Sequence, residues 1–124
     1  MIVPLSASGW AVFYGADETL HVDLVPSSID AARTNVLAET GDLFGVATSG
    51  PAEPMLLVAK HPTRPARARV QLVNVTAGTL ADLTTYNMPV SIDAIDVHYV
   101  DGVYWIGLTS VDGTTRVLTT RACE

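Results

Sequence analysis

Short runs of valine, threonine, tyrosine and isoleucine follow one another along the chain, and Gly, Pro, Asp and Asn separate them. Such runs, bounded by turn-forming residues, are typical of β-strands. Three pairs of runs predict hairpins, with strands at residues 10–14 and 19–25, at 43–48 and 55–60, and at 69–75 and 79–86. The pattern as a whole predicts an all-β protein.

The C-terminal part carries the clearest strand pattern. Asp-Gly dipeptides at 101–102 and 112–113 separate three strand-like runs, at residues 95–100, 103–111 and 114–120. Asp-Gly between two such runs favours a two-residue hairpin turn, because both central positions must accept a positive φ. Two turns of this kind predict a three-stranded antiparallel meander.

Residues 27–40, with the sequence SSIDAARTNVLAET, fit either a short helix or a strand. Ser28 is a suitable helix N-cap and alanine favours a helix. An internal repeat decides for the strand, because the second copy of the repeat lies on a predicted strand. We therefore expect residues 29–37 to be extended, with a helix as the alternative.

The repeat is centred on the heptapeptide VPSSIDA at residues 25–31, which recurs as MPVSIDA at residues 88–94. The similarity between the two copies continues further along the chain, where GVAT at 45–48 corresponds to GLTS at 107–110. Such self-similarity is typical of a duplicated supersecondary unit. We expect a single domain over residues 1–124 that contains two repeats of about 62 residues, at about 1–63 and 64–124, in an antiparallel meander.

Residues 67–120 resemble β-propeller blades. A strand pair with a Gly-containing turn is followed by an inner strand at 92–100, an Asp-Gly turn and a strand that carries Trp105. Propellers have roughly four to eight blades, so the resemblance implies blades that are completed by oligomerisation. The repeat is longer than a usual blade of about 40–50 residues. A barrel or sandwich with twofold pseudo-symmetry is therefore the alternative fold.

Composition narrows the class of partner. The chain is 48% hydrophobic and only 16% charged, so some apolar surface is expected to be covered by a partner. The net charge of −6 argues against nucleic acid. The local exception is Arg64, Arg67 and Arg69, which fit either a solvated loop or a site for an anion or partner.

The sequence contains few residues in arrangements that are typical of a metal site, a cofactor site or a catalytic site. His21, His61, His98 and Cys123 lack zinc-ligand spacing, so no metal is predicted. No phosphate-binding glycine loop and no Gly-x-Ser-x-Gly is present, so no cofactor and no catalytic residue is predicted. A hydrolase whose site is built from dispersed residues, such as His21, His98 and aspartates, stays open as an alternative.

Membrane association is not expected. The N-terminal segment lacks the pattern of a signal peptide, and no apolar run approaches the roughly 20 residues of a membrane helix. We expect a cytoplasmic or virion-associated protein that has no contact with a membrane.

Aromatic residues are the remaining candidates for a binding surface. They form two clusters in the sequence, and their rings suit either stacking on a sugar or anchoring a partner. The predicted binding residues are Trp10, Tyr14, Tyr99, Tyr104 and Trp105. Tyr99 and Tyr104 are expected to share a face across the Asp101-Gly102 turn. Packing in the core is the alternative role for all five side chains.

Three function classes follow from these observations. The favoured one is a non-enzymatic structural or interaction module that assembles as a homo-oligomer or on a larger particle, for example as a phage capsid decoration or tail component of a virion. The second is a glycan-binding, lectin-like module that uses the aromatic clusters. The third is the small hydrolase described above.

Overall fold

The computed structural model describes residues 2–5, 9–16, 19–25, 34–40, 43–50, 54–61, 63–74 and 79–121. All of the elements in this part of the chain are strands, which confirms the all-β class. The strands are β1 (Ile2–Leu5), β2 (Gly9–Ala16), β3 (Thr19–Val25), β4 (Thr34–Thr40), β5 (Phe44–Thr48), β6 (Met55–Lys60), β7 (Arg67–Asn74), β8 (Thr79–Asn87), β9 (Ile92–Val100), β10 (Val103–Ser110) and β11 (Thr115–Arg121).

The predicted strand positions agree closely with the observed ones. β3 and β6 begin and end at the predicted residues, and the other predicted strands, apart from the one expected at 29–37, differ by only a few residues at their ends. β1 was not predicted. In the ambiguous segment 27–40, residues 34–40 form a strand, whereas residues 27–33 lie outside the described part of the chain.

The strands form three antiparallel sheets, each of which follows the order of the chain. The first sheet contains β1 to β4, the second contains β5 to β8, and the third contains β9 to β11. The C-terminal meander predicted from the Asp-Gly dipeptides is the third sheet. Each sheet is thus built from contacts between strands that are neighbours in sequence.

The sheets stack face to face, with the second sheet in the middle. One core lies between the first and second sheets and includes Phe13, Val22 and Leu57. The other core lies between the second and third sheets and includes Val58 and Leu108. Strand β6 contributes to both cores, and this explains why its sequence MLLVAK is continuously apolar up to the lysine.

The second and third sheets are closest at the edges where each begins. A Cβ atom placed on Gly45 of β5 would lie 2.9 Å from Cγ2 of Val97 on β9. At the opposite edges, β8 and β11 leave an opening of about 270 Å³, which Leu83, Tyr86 and Leu118 help to line. The two sheets therefore form a wedge that is narrow at β5 and β9 and open at β8 and β11.

Both Asp-Gly dipeptides form turns, but of different kinds. Asp101 and Gly102 have φ angles of 49° and 83°, which confirms the predicted two-residue turn. At the second dipeptide only Gly113 has a positive φ, of 87°. The N–H of Gly113 donates to the carbonyl of Ser110, and that of Ser110 donates to Thr114. The prediction of a second two-residue turn was wrong, because this is a three-residue loop closed by a glycine bulge.

The Asp112 side chain stabilises this loop, and its contribution depends on pH. The backbone N–H of Thr114 donates to Asp112 Oδ1 at 3.0 Å. This bond, aided by the Thr114 side chain, lowers the pKa of Asp112 below the usual 3.8. A lowered pKa in the folded state stabilises the fold above pH 3.8, and the effect is lost as pH falls through the folded value.

We expect Asp112→Asn to be less stable than the wild type near neutral pH, and the difference to close in acid. The amide retains an oxygen acceptor for the Thr114 N–H but carries no charge. Urea unfolding of both proteins across the acidic range measures the difference. A gap that stays constant through this range would show that the charge of Asp112 does not stabilise the loop.

The two-repeat organisation, at about 1–63 and 64–124, stays a prediction. Residues 26–33, which hold most of the first heptapeptide, lie outside the described part of the chain. The strands associated with the two heptapeptides differ in their pairing. β4 pairs with the preceding strand β3, whereas β9 belongs to a different sheet from the preceding strand β8. The propeller resemblance likewise stays a prediction. The stack of described strands differs from the sandwich alternative, because it has three sheets and a sandwich has two.

Candidate functional site

The predicted aromatic cluster of the third sheet is divided between two faces of the sheet. Tyr104 and Trp105 are consecutive on β10, so their side chains point to opposite sides. Tyr104 is buried in the core between the second and third sheets, whereas Trp105 is 46% exposed on the outer face. Tyr99 pairs with Tyr104 across the Asp101-Gly102 turn, and the two ring centroids are 5.1 Å apart.

The shared face predicted for Tyr99 and Tyr104 is therefore confirmed, and it is the inner face. Tyr99 packs against the same core that buries Tyr104. Of the three aromatic residues predicted to bind in this sheet, Trp105 is the one whose ring faces solvent. A binding role for all five predicted aromatic residues stays a prediction.

The outer face of the third sheet combines apolar side chains with polar ones, since the register also places Asp96, His98 and Arg121 on it. We call it the third-sheet face and define it by Val100, Val103, Trp105 and Val117, which the strand register places on one side of the sheet. Val100 and Val117 are more than half exposed. Trp105 lies between His98 on β9 and Thr119 on β11 in the register, so the apolar residues are bordered by polar ones.

The outer face of the first sheet has a similar character. We call it the first-sheet face and define it by Ile2, Trp10, Val12 and Val25, which the register places on the side opposite the core. Ile2 is 66% exposed and Trp10 is 42% exposed. Each terminal sheet of the stack thus presents one tryptophan and several aliphatic side chains to solvent.

Tyr14 lies on the same outer side as Trp10 but is held in a polar cluster. Its ring stacks on that of His21, with centroids 5.1 Å apart and planes 16° apart. Its hydroxyl donates to Oδ2 of Asp23 at 3.0 Å, and Asp23 is only 5% exposed. These contacts fix the tyrosine ring against the sheet, so Tyr14 is less available to a ligand than Trp10.

Tyr14→Phe is expected to lower the free energy of unfolding by about 1–3 kcal/mol, because a buried carboxylate loses a hydrogen-bond donor. The ring and its stacking on His21 are kept, so the loss reports the hydroxyl. Denaturant unfolding measures the effect, with Tyr86→Phe as a control, since Tyr86 is a half-buried tyrosine of β8. Equal stability of wild type and Tyr14→Phe would contradict the structural role of this bond.

The two histidines of the hydrolase alternative do not come together within one copy of the chain. His21 lies on the outer side of the first sheet, and His98 lies on the outer side of the third. His98 Nε2 lies 3.0 Å from Asp96 Oδ2, and both side chains are exposed. Within the described ranges, no group of three or more His, Cys, Asp or Glu side chains is placed to hold a metal ion.

A basic cluster lies at the turn between β6 and β7. Partial desolvation, together with the charges of Arg69, Arg67 and Arg64, lowers the pKa of His61. The backbone N–H of Thr63 donates to His61 Nδ1 at 3.2 Å, an arrangement that favours the neutral ring. The three arginines that are close in sequence are therefore close in space as well.

Asn87 joins this cluster, although it was not predicted from the sequence. Its Oδ1 accepts a hydrogen bond of 2.9 Å from Nε of Arg67, a residue 20 positions earlier in the chain. The two residues are the register partners at the ends of β7 and β8. No local sequence signal marks Asn87, because its place in the cluster depends on how these two strands pair.

The described part of the chain contains no helix that is long and apolar enough to cross a membrane. Comparisons with protein-family models, with curated proteins and with solved structures found no match. Conclusions about function therefore rest on the geometry of the two outer faces and of the basic cluster.

Proposed function

We propose that this protein is a non-enzymatic interaction module that assembles with further copies of itself. The third-sheet face of one copy packs on the first-sheet face of the next. The observation that carries the proposal is the exposure of Trp10 and Trp105 on the two terminal faces of the stack, each with aliphatic neighbours. Exposed apolar surface of this kind is typical of protein interfaces.

The stacking inside the chain supports a head-to-tail arrangement. The two interfaces already present join neighbouring sheets face to face through aliphatic and aromatic side chains. Packing between copies would add a third interface of the same kind. The wedge between the second and third sheets turns in one direction, and a similar angle at the other interfaces would close the stack into a ring.

The number of sheets supports a closed dimer. The described part of each copy contributes three sheets, and two copies therefore contribute six. Six lies within the roughly four to eight blades that form a propeller. Attachment to a larger particle, such as a virion, would use the same faces. The self-assembled ring is preferred because it covers both faces with surfaces of matching character.

Substitution of the two tryptophans tests the arrangement. We expect Trp10→Arg and Trp105→Arg each to reduce the solution mass, because a cation placed in an apolar interface is desolvated without a partner. The matched control is Leu83→Arg, since Leu83 is 50% exposed but lies on neither terminal face. A mass reduced equally by all three substitutions would contradict the proposed interface.

Mixing the two variants tests the head-to-tail direction. Trp10→Arg retains an intact third-sheet face, and Trp105→Arg retains an intact first-sheet face. A mixture can therefore form one unaltered interface, and we expect it to contain more dimer than either variant alone. If mixing restores no dimer although each variant alone is monomeric, the head-to-tail arrangement is wrong.

Glycan binding is the second candidate, and the exposure of Trp105 beside the His98–Asp96 pair favours it. An indole ring next to hydrogen-bonding groups suits a sugar, which has both apolar and hydroxyl-bearing faces. Titration of the tryptophan fluorescence with a panel of sugars tests it. A saturable change that disappears in Trp105→Phe but not in Trp10→Phe would support this candidate over self-assembly on the third-sheet face.

A further inference from the structure

The turn between β6 and β7 is fastened to the segment that links the second sheet to the third. The N–H of Met88 donates to the carbonyl of Ala66 at 2.7 Å, and the N–H of Ile92 donates to that of Pro65 at 2.8 Å. Between the turn and the end of β8 lies an open cleft of about 320 Å³. Its lining residues are Arg64, Pro65, Ala66, Arg67, Asn87 and Met88.

The polar groups of the cleft are almost entirely hydrogen-bond donors. The bond from Arg67 Nε to Asn87 Oδ1 occupies the amide oxygen, and the amide N–H groups of Asn87 remain as donors. This bond holds the Arg67 guanidinium at the cleft wall. The side chain therefore loses less conformational entropy when a ligand binds. Arg64 is exposed at the rim of the cleft.

The charge of the cleft is not balanced by nearby carboxylates. The chain as a whole has a net charge of −6. Yet among the described residues no carboxylate forms an ion pair with Arg64, Arg67 or Arg69. Arg64 and Arg67 line the cleft, and Arg69 follows Arg67 by two residues on β7, so its side chain lies on the same side of the strand.

We propose that this cleft binds a tetrahedral oxyanion with two negative charges, such as a phosphate group. Guanidinium groups pair with such oxyanions through two parallel N–H donors. A dianion balances more of the positive charge than a single carboxylate does. This site is separate from the first-sheet and third-sheet faces, so it does not depend on the proposed self-assembly.

The test is a titration of the full chain with inorganic phosphate, monitored by calorimetry and by the NMR signals of the backbone amides of Thr63, Arg64, Ala66 and Arg67. We expect saturable binding in the millimolar range or tighter, and a loss of at least about tenfold in affinity for Arg64→Ala and for Arg67→Ala. Arg116→Ala, which removes an exposed arginine of β11, is the matched control and is expected to bind normally.

Two further measurements make the outcome decisive. Sulfate, also a dianion, is expected to compete with phosphate, whereas acetate is expected to bind much more weakly. Circular dichroism establishes that each variant is folded, and the exposed position of Arg64 makes its substitution the safer of the two. Absence of saturation, equal loss in Arg116→Ala, or acetate binding as tight as phosphate would overturn the proposal.

Discussion

Leu57→Ala is expected to lower the free energy of unfolding by about 2–5 kcal/mol, the range for a leucine removed from a close-packed core. Leu57 has no solvent exposure. It lies on β6, an interior strand of the second sheet, and packs in the core between the first and second sheets. The lost contacts and the remaining cavity both contribute, because sheets on either side restrain β6 and limit its movement into the space.

The matched control is Leu83→Ala, which makes the same chemical change at a side chain that is 50% exposed. This substitution is expected to change the free energy by no more than about 0.5 kcal/mol. Urea unfolding measures both variants at one protein concentration, because assembly links stability to concentration. Similar losses for the two leucines would contradict the assignment of β6 to the centre of the stack.

Gly45→Ala is expected to destabilise the protein by about 1–3 kcal/mol through overpacking. The new methyl group would meet Val97 Cγ2 at 2.9 Å, Ile95 Cγ2 at 3.2 Å and the backbone nitrogen of Val97 at 3.3 Å. The side chains can shift by a few tenths of an ångström, but the backbone of β9 moves less readily. The substitution therefore pushes apart the narrow edge of the wedge.

A double-mutant cycle with Val97→Ala isolates this contact. Val97→Ala removes the methyl group that the new Cβ would approach most closely, so the two substitutions together are expected to cost less than the sum of the single ones. A coupling energy of at least about 0.5 kcal/mol is expected for residues in direct contact. Simple additivity within error would show that Gly45 and Val97 are not packed together.

Most of the local structure of this protein could be predicted from its sequence. Alternation and turn residues located β2, β3 and β5 to β11 to within a few residues, because these strands pair with neighbours in sequence. The Asp101-Gly102 turn was predicted from the need for positive φ at both positions. The loop at Asp112 differs because Val111 joins it, and the sequence pattern had placed that valine in the preceding strand.

The grouping of strands into sheets could not be predicted in the same way. β4 and β5 follow each other in sequence but belong to different sheets, and so do β8 and β9. Whether consecutive strands pair or separate depends on the packing of whole sheets. One signal was available, since the unbroken apolar run of β6 is typical of a strand that is buried on both faces.

The candidate site was predictable only in part. Side-chain alternation along β10 is sufficient to separate Tyr104 from Trp105, although the two residues had been grouped by their closeness in sequence. The arginines of the basic cluster were visible as Arg64, Arg67 and Arg69. Asn87 was not, because it reaches the cluster through the pairing of β7 with β8.

We propose that the two outer faces of the stack are interfaces between copies of the chain. Light scattering coupled to size-exclusion chromatography tests it most directly, because it measures the mass in solution without reference to shape. We expect a mass of twice the 13.1 kDa of one chain, from a head-to-tail dimer of six sheets. A mass of 13.1 kDa that persists as the protein concentration is raised would contradict it.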